Sequence, residues 1–215
     1  MKIDPVLMLH NDPQEYAARL AGEKVQLHRV FVEKIAPRVL PWENVLDVGS
    51  AVGTTASALL DRRRSHVGER IAIDLSKKCL DYCKRRRFYT EYLLGDAERV
   101  CSTLLKDGRR VHWAVLTSVS YYLSPKELES LLSVLGNLCT KGIAISYDGV
   151  PKALRDHFRQ LVGNDLKVYD HRRRFKQFVP SPEWEARTIW SGVGWVSAST
   201  GIEVPCDYVV LTKKR

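Results

Sequence analysis

Residues 44–55 read NVLDVGSAVGTT, an apolar run from Val45 that passes into small residues and then into a threonine pair. Short β-branched runs that end in glycine-containing turns are typical of buried strands in α/β proteins. We therefore predict a strand at Val45, a tight turn through Gly49 and Gly53, and a helix from Thr54. In an open α/β sheet, ligands bind beyond the carboxyl ends of the strands, next to such a turn.

Four more apolar runs of strand length follow along the chain, and helix-length stretches with apolar residues at three- and four-residue spacing separate them. The clearest helix start is at residues 124–127, Ser-Pro-Lys-Glu, which has the pattern of a capping box with proline at the first helical position. This alternation predicts a doubly wound α/β domain whose parallel sheet is covered by helices on both faces. The expected strands are 71–73, 92–94, 113–116, 143–145 and a last one at 208–211, and the other expected helices are 12–40, 54–63 and 77–87.

The residues of the first turn distinguish between two kinds of cofactor. A dinucleotide fingerprint needs G-x-G-x-x-G, with the pyrophosphate at the helix N-terminus. Here Ala51 takes the middle position, and the last glycine is missing. Asp47 at the end of the strand would repel a pyrophosphate, because both are negatively charged. The same carboxylate suits a cofactor that has a positively charged ammonium group.

This turn resembles the first motif of the class I S-adenosylmethionine-dependent methyltransferases, which runs D-x-G-x-G-x-G. Asp47, Gly49 and Gly53 match the motif, and Ala51 replaces its middle glycine with another small residue. The resemblance covers residues 40–150. It implies S-adenosylmethionine as the cofactor, methyl transfer as the activity, and a mostly parallel seven-stranded sheet with helices on both faces.

Two further acids stand at the ends of the next two expected strands, Asp74 and Asp96. A carboxylate at the first of these places can accept hydrogen bonds from both ribose hydroxyls. The resemblance assigns the second to the adenine amino group, and it places the end of the fourth strand near the methionine end of the cofactor. The expected cofactor-binding residues are Asp47, Gly49, Ser50, Ala51, Gly53, Asp74, Leu75, Asp96, Ala97, Thr117 and Ser118, and no metal ion is expected.

The catalytic residues are not identified by any motif. A sulfonium methyl group is already activated, so orientation of the acceptor contributes more than acid–base groups do. A general base is needed only where the acceptor must lose a proton. Candidates near the carboxyl edge of the sheet are Tyr121, Tyr122, Tyr147 and Asp148. Of the first two tyrosines, we expect one to line the site and the other to pack.

The segment after the fourth expected strand limits the class of molecule that can accept the methyl group. Residues 117–121 read Thr-Ser-Val-Ser-Tyr, without the Asn/Asp-Pro-Pro-Tyr/Phe motif of enzymes that methylate exocyclic amines of nucleic acid bases, and without the Asp that ribose methyltransferases use. The segment is similar to that of small-molecule methyltransferases, whose N-terminal lid closes over the cofactor. We therefore expect an oxygen, nitrogen or carboxylate acceptor on a small molecule. The alternatives are RNA (a cap guanine, for example) or protein as acceptor, and a non-catalytic Rossmann-like module or a nucleotide-dependent oxidoreductase.

Basic residues are in excess, since 34 Lys and Arg against 25 Asp and Glu give a net charge of +9. Such an excess permits an anionic partner such as RNA but does not identify one. The clusters at 62–64 and 84–87 fall at expected helix ends, where cations complement the helix dipole. Residues 170–178 combine Arg172, Arg173 and Arg174 with aromatic residues. We predict that this stretch flanks the acceptor pocket and favours an anionic or aromatic acceptor; the alternative is that the arginines point into water while Trp184, Trp190 and Trp195 pack the last strands.

The length of 215 residues suits one domain, residues 1–215. We expect a helical lid at 1–40, a cofactor-binding half at 41–150 and a substrate-side half at 151–215. Five cysteines cannot all pair within one chain, and Cys79 and Cys83 are expected to be small buried residues. The sequence has no run of 18 apolar residues. We therefore expect reduced thiols, no membrane partner, and a cytoplasmic or nuclear location.

Overall fold

The seven strands of the computed structural model form one mixed sheet. The structure describes residues 12–22, 26–60, 67–162, 167–172, 178–197 and 199–214. The strands are β1 (Val45–Val48), β2 (Arg70–Asp74), β3 (Glu91–Leu94), β4 (Val111–Leu116), β5 (Cys139–Asp148), β6 (Trp184–Val196) and β7 (Glu203–Lys213). Their order is β3-β2-β1-β4-β5-β7-β6. Strands β1–β5 pair in parallel, and β7 runs antiparallel to both of its neighbours. The mostly parallel, doubly wound seven-stranded sheet is thus confirmed.

The helices lie between the strands as the sequence pattern indicates. They are α1 (Pro13–Gly22), α2 (Gln26–Val30), α3 (Thr54–Leu60), α4 (Lys77–Arg85), α5 (Ala97–Lys106), α6 (Pro125–Leu138) and α7 (Lys152–Val162). Helix α2 continues into a π-helical turn (Phe31–Ile35) and a 3-10 turn (Ala36–Arg38), and a second 3-10 turn spans Ser120–Tyr122. The expected capping box is present at the start of α6, because the Ser124 hydroxyl accepts from the Glu127 amide and the Glu127 carboxylate accepts from the Ser124 amide.

The sheet separates two layers of core. Leu46 and Val48 of β1 face one layer, which contains the buried leucines of α6. Val45 faces the other layer, together with Leu27 of α2 and Phe31 of the π-helical turn. Side chains that alternate along β1 therefore pack in both core layers, so both faces of the sheet are covered. The carboxyl ends of the strands remain accessible.

Several elements differ from their expected bounds. The helix expected over 12–40 is divided into α1, α2 and the two short turns that follow α2. The helix expected over 54–63 is described as far as Leu60, and residues 61–66, which include the first arginine cluster, lie outside the described residues. Helix α4 ends at Arg85 rather than residue 87, since Arg87 has a left-handed backbone with φ of 54°. Strand β6 was not expected. Its pairing with β7 shifts register twice, so its side chains do not alternate strictly between apolar and polar.

All five cysteines are free thiols with buried side chains, and the expectation for Cys79 and Cys83 is confirmed. Among the described residues, no helix is both long enough and apolar enough to cross a membrane. The same residues contain no group of three or more His, Cys, Asp or Glu that is suited to a metal ion.

Candidate functional site

A cavity of about 700 Å³ opens at the carboxyl ends of strands β1 to β4. Its lining has two parts of different chemistry. The acidic part comprises Asp47, Asp74 and Asp96 with the residues that follow each of them. The aromatic part comprises rings from α1, the turn after β4, α7 and β6, and their members are Tyr16, Tyr121, Tyr122, Phe158 and Trp195.

The turn after β1 requires glycine at position 49. Gly49 has φ of +70°, and a Cβ atom there would lie 2.5 Å from Cγ2 of Val119 in the turn after β4. Ala51 also adopts a left-handed conformation, with φ of 44°. The backbone of the turn after β1 therefore packs closely against the turn after β4, and no side chain of residue 49 projects into the cavity.

Asp74 fastens the end of β2 to this turn. One carboxylate oxygen accepts a hydrogen bond from the Ala51 amide at 2.7 Å, and the other accepts from the Ser76 amide at 2.7 Å. Burial raises the pKa of this carboxyl above its ordinary value. The side chain thus holds its place before any ligand binds, and its position on the lining leaves it within reach of one.

Asp47 lies at the base of the cavity, where its residue surface is 3% exposed. Its carboxylate accepts a short hydrogen bond from the Tyr89 hydroxyl. Burial raises the pKa of Asp47 to about 7, against the opposing effect of that hydrogen bond. A cationic group in the cavity would favour the charged form of this carboxyl.

Asp96 and the end of β4 complete the acidic part. Asp96 caps α5, because its Oδ1 atom accepts from the Arg99 amide at 2.9 Å. The Thr117 hydroxyl shares a 2.7 Å hydrogen bond with the hydroxyl of Tyr208. The Ser118 amide donates to Oγ of Ser146 at 2.7 Å. Each of these polar residues is held by the sheet or by the adjoining helix.

The lining includes ten of the expected cofactor residues, with Gly53 as the exception. Gly53 has φ of +80°, and a Cβ atom there would lie 2.5 Å from Cδ2 of Phe88 and 3.1 Å from Sγ of Cys83. The structure therefore explains this glycine by the packing of the turn against its neighbours.

The acidic part also has a polar atom that lacks a partner. Oγ of Ser50 is buried and has no hydrogen-bond partner among the described residues. An unsatisfied buried hydroxyl costs about 1–3 kcal/mol. Ser50 and the three carboxylates offer hydrogen-bond acceptors, which fit a ligand that carries an ammonium group, hydroxyls and an amino group.

The aromatic part brings both candidate tyrosines to the cavity. The rings of Tyr121 and Tyr122 are 4.2 Å apart between centroids, and the ring of Trp195 lies 6.5 Å from that of Tyr121. Burial raises the pKa of Tyr121 well above its ordinary value, so its hydroxyl remains protonated. In contrast to the expectation that one tyrosine lines the site and one packs, both contribute to the lining.

His28 was not expected at the site. It lies on α2 and contributes to the same lining as Ser197 and Ser199, which follow β6. Burial lowers the pKa of His28 to about 4, so the imidazole is neutral near pH 7. The helical periodicity of residues 12–40 indicated a helix, but it did not show which face would meet the cavity.

The other two catalytic candidates lie behind the lining. Asp148 is 1% exposed, and its Oδ1 atom accepts from Sγ of Cys206 at 2.6 Å. Burial raises the pKa of Asp148 to about 6. The Tyr147 ring stacks on Phe178 in the core, with centroids 6.3 Å apart. Neither residue is part of the cavity surface.

The expected basic acceptor flank does not appear in the described residues. Nε of Arg172 donates to Oδ2 of Asp207 at 2.9 Å, and Arg172 does not contribute to the lining. Phe178 and Trp184 are buried in the core. Residues 173–177, which include Arg173 and Arg174, lie outside the described residues. The cluster at 84–87 spans the end of α4 and lies where the strands begin, away from the cavity, because α4 connects the carboxyl end of β2 to the start of β3.

Comparison with known proteins gives a fold but no sequence relative. No family model matches the chain, and no curated protein matches it. The chain is similar to magnesium protoporphyrin IX methyltransferase from Synechocystis PCC 6803 with bound SAH, at 12% identity and a TM-score of 0.63 over 100% of this chain and 89% of that one. It is similar to the CurJ carbon methyltransferase at 16% identity and a TM-score of 0.68, over 99% of this chain and 62% of that one. The YcgJ protein from Bacillus subtilis is similar at 10% identity and a TM-score of 0.64, over 88% of this chain and 99% of that one. The chain therefore has the class I methyltransferase fold.

Proposed function

We propose that this chain is an enzyme that uses S-adenosylmethionine to methylate an oxygen, nitrogen or carboxylate group of a small molecule. The observation that carries the proposal is that three carboxyl groups, Asp47, Asp74 and Asp96, end three adjacent parallel strands and line one cavity. Two solved structures of the same fold contain SAM or SAH. Asp47 in particular is difficult to explain as solvated surface, because it is buried.

The acidic part supplies a partner for each polar portion of this cofactor. Asp47 would hold the ammonium group, Asp74 the ribose hydroxyls and Asp96 the adenine amino group. When bound, the cofactor supplies an activated methyl group. The chain itself contributes a preformed turn at residues 49–51, and orientation of the acceptor by the aromatic part reduces the barrier to transfer.

Three features favour a small acceptor over RNA or protein. The cavity lining is formed in part by Tyr16 and Leu20 of α1, which supports the role of residues 1–40 as a lid. Cluster 84–87 lies where the strands begin, away from the cavity. Arg172 forms an ion pair with Asp207.

We propose that residues 41–150 form the cofactor-binding half and residues 151–215 the substrate-side half. We also propose a cytoplasmic location, since the five thiols are free.

Calorimetric titration with SAH and with NAD tests the cofactor. We expect SAH to bind and NAD not to bind. Asp74→Asn should weaken SAH binding by about tenfold or more, since it replaces a charged acceptor of hydrogen bonds. The matched control is Asp81→Asn on α4, an exposed acid that pairs with Lys77 at 2.6 Å and should leave SAH affinity unchanged. Binding of NAD in place of SAH, or equal SAH affinity in a folded Asp74→Asn variant, would contradict the proposal.

The acceptor class requires a separate experiment. Radiolabelled S-adenosylmethionine is incubated with the protein and a metabolite extract, and in parallel with total RNA and with a protein mixture. We expect the label in the small-molecule fraction. Label in RNA or protein would refute the small-molecule part of the proposal and leave the cofactor assignment in place.

A further inference from the structure

The aromatic part of the lining indicates the charge of the acceptor. No Lys or Arg contributes to the cavity surface within the ranges that the structure describes. A carboxylate or phosphate placed among the rings of Tyr121, Tyr122 and Trp195 would therefore find no Lys or Arg partner among the described lining residues. Burial of an unpaired charge is strongly unfavourable. Flat, uncharged molecules gain from contact with aromatic rings. This part of the cavity thus suits an uncharged aromatic compound.

His28 adds a group that can take a proton. Its imidazole lies on the cavity surface, and its low pKa of about 4 keeps it neutral near pH 7. A neutral imidazole has one ring nitrogen with a free lone pair, which accepts a hydrogen bond from an O–H or N–H group. Leu27 of α2 packs beside Gly194 of β6, where a Cβ atom would lie 3.2 Å from Cγ of Leu27 and would clash with Sγ of Cys206. His28 is therefore held beside the strand that supplies Trp195.

In the part of the chain that the structure describes, the elements packed against α2 bring no buried charge towards His28. Helix α3 has no titratable side chain. On the π-helical turn Glu33 and Lys34 are exposed, and on β6 Glu185 and Arg187 are exposed. The titratable groups that share the lining are Tyr16, Asp47, Asp74, Cys79, Asp96, Tyr121, Tyr122 and Glu127. The last of these is engaged in the capping box of α6, and the three aspartates belong to the acidic part.

Building on the proposed function, we propose that the acceptor is an uncharged aromatic molecule with a hydroxyl group, and that His28 receives the proton which this hydroxyl releases. In that step the acceptor oxygen gains the methyl carbon and its O–H bond breaks. The electron pair of the cleaved carbon–sulfur bond stays on sulfur, and the proton moves to an imidazole nitrogen. Positive charge leaves sulfur as it reaches His28, so the total charge in the cavity is conserved.

The other candidates on or near the cavity do not serve as the proton acceptor. The hydroxyl of Tyr121 is protonated and donates to the hydroxyl of Tyr122 at 3.3 Å. Asp148 lies behind the lining, where Cys206 donates to it. The tyrosines instead orient the acceptor ring, and His28 acts on its hydroxyl hydrogen.

A ligand–variant cycle tests the contact without the cofactor. Naphthol, its methyl ether methoxynaphthalene, and naphthoate are titrated calorimetrically into the wild-type protein and into His28→Phe. We expect naphthol to bind about tenfold more tightly than the ether, because the ether lacks the hydroxyl hydrogen, and more tightly than the anionic naphthoate. The preference over the ether should disappear in His28→Phe and persist in His157→Phe, a histidine outside the lining. Tighter binding of naphthoate, or an unchanged preference in His28→Phe, would overturn the proposal.

Proton transfer is tested by chemical rescue. With naphthol as acceptor and labelled cofactor, His28→Ala should lose methyl transfer by about a hundredfold, the contribution expected of a general base. Added imidazole should restore part of the activity to His28→Ala and should not accelerate the wild type. Failure of rescue in a folded variant that binds naphthol would refute the role as base. SAH affinity of each variant separates the two proposals: if the wild type does not bind SAH, the proposed function fails, whereas normal SAH binding without naphthol binding overturns this inference alone.

Discussion

The acidic and aromatic parts of the cavity lining are assembled in different ways. Asp47 and Asp74 lie on neighbouring strands whose parallel pairing sets their spacing, and Asp96 follows the next strand along. The aromatic residues come from segments far apart in the chain, such as Tyr16 on α1 and Trp195 on β6. The sheet therefore determines the acidic part directly, whereas the aromatic part depends on how helices and the β6–β7 hairpin pack around it.

This difference suggests that the acidic part binds the cofactor and the aromatic part recognises the acceptor. Groups held by strand ends are positioned rigidly, which suits a ligand whose shape does not vary. Groups on surrounding helices and loops can change without disturbing the sheet, which suits the recognition of an acceptor. Variants in the acidic part should then affect cofactor affinity alone, and variants in the aromatic part should affect acceptor affinity alone.

The largest effect is expected for Gly49→Val. A side chain at this position meets Val119 and forces a left-handed backbone on a β-branched residue. The combined strain should reduce SAH affinity by about a hundredfold or more. Calorimetry with SAH, and a thermal melt to verify folding, measure this effect. A folded Gly49→Val variant with wild-type SAH affinity would contradict the assignment of the turn to the cofactor.

The pH dependence of SAH binding is the second prediction. The raised pKa of Asp47, about 7, means that its carboxyl becomes protonated as the pH falls below neutrality. The protonated form does not attract the ammonium group of SAH. Affinity should therefore be greatest above pH 7 and decrease by up to about tenfold per pH unit below it. In Asp47→Asn this dependence should flatten; a profile identical in both proteins would exclude Asp47 as its source.

Trp195→Leu tests the aromatic part. Loss of the indole removes a ring contact worth about 0.5–1.5 kcal/mol, so naphthol affinity should decrease by roughly threefold to tenfold. SAH affinity should remain unchanged, because Trp195 belongs to the aromatic part. Parallel titrations with the two ligands measure the separation. If SAH affinity decreases as much as naphthol affinity, the two parts are not independent.

The sequence predicted those features of the fold and the site that depend on residues close together in the chain. The strand ends and the capping box of α6 could be read from short patterns, because neighbours along the chain determine them. His28 and the burial of Asp148 depend on contacts between distant segments, and no local pattern reports these. The position of Arg172 outside the lining has a related reason. Its partner, Asp207, lies on β7, and the sequence of the basic cluster alone does not reveal this pairing.

The smallest effect is expected for Ala51→Gly. Glycine adopts the left-handed conformation of this position without steric cost, but it also adds conformational freedom to the unfolded chain. These contributions oppose one another, so the free energy of unfolding should change by less than about 1 kcal/mol. SAH affinity should stay within about threefold of the wild type, since the Ala51 amide that donates to Asp74 is retained. A large loss of affinity would show that the methyl group of Ala51 contacts the ligand.

Strand β6 has a consequence for the behaviour of the protein at high concentration. It is 13 residues long and lies at the edge of the sheet. Unpaired peptide groups at such an edge can form hydrogen bonds with a strand of another molecule. Its register shifts interrupt the regular row of donors and acceptors, and exposed Glu185 and Arg187 place charges along that edge. The register shifts of β6 made this strand difficult to predict from the sequence, and they also protect the protein against edge-to-edge aggregation.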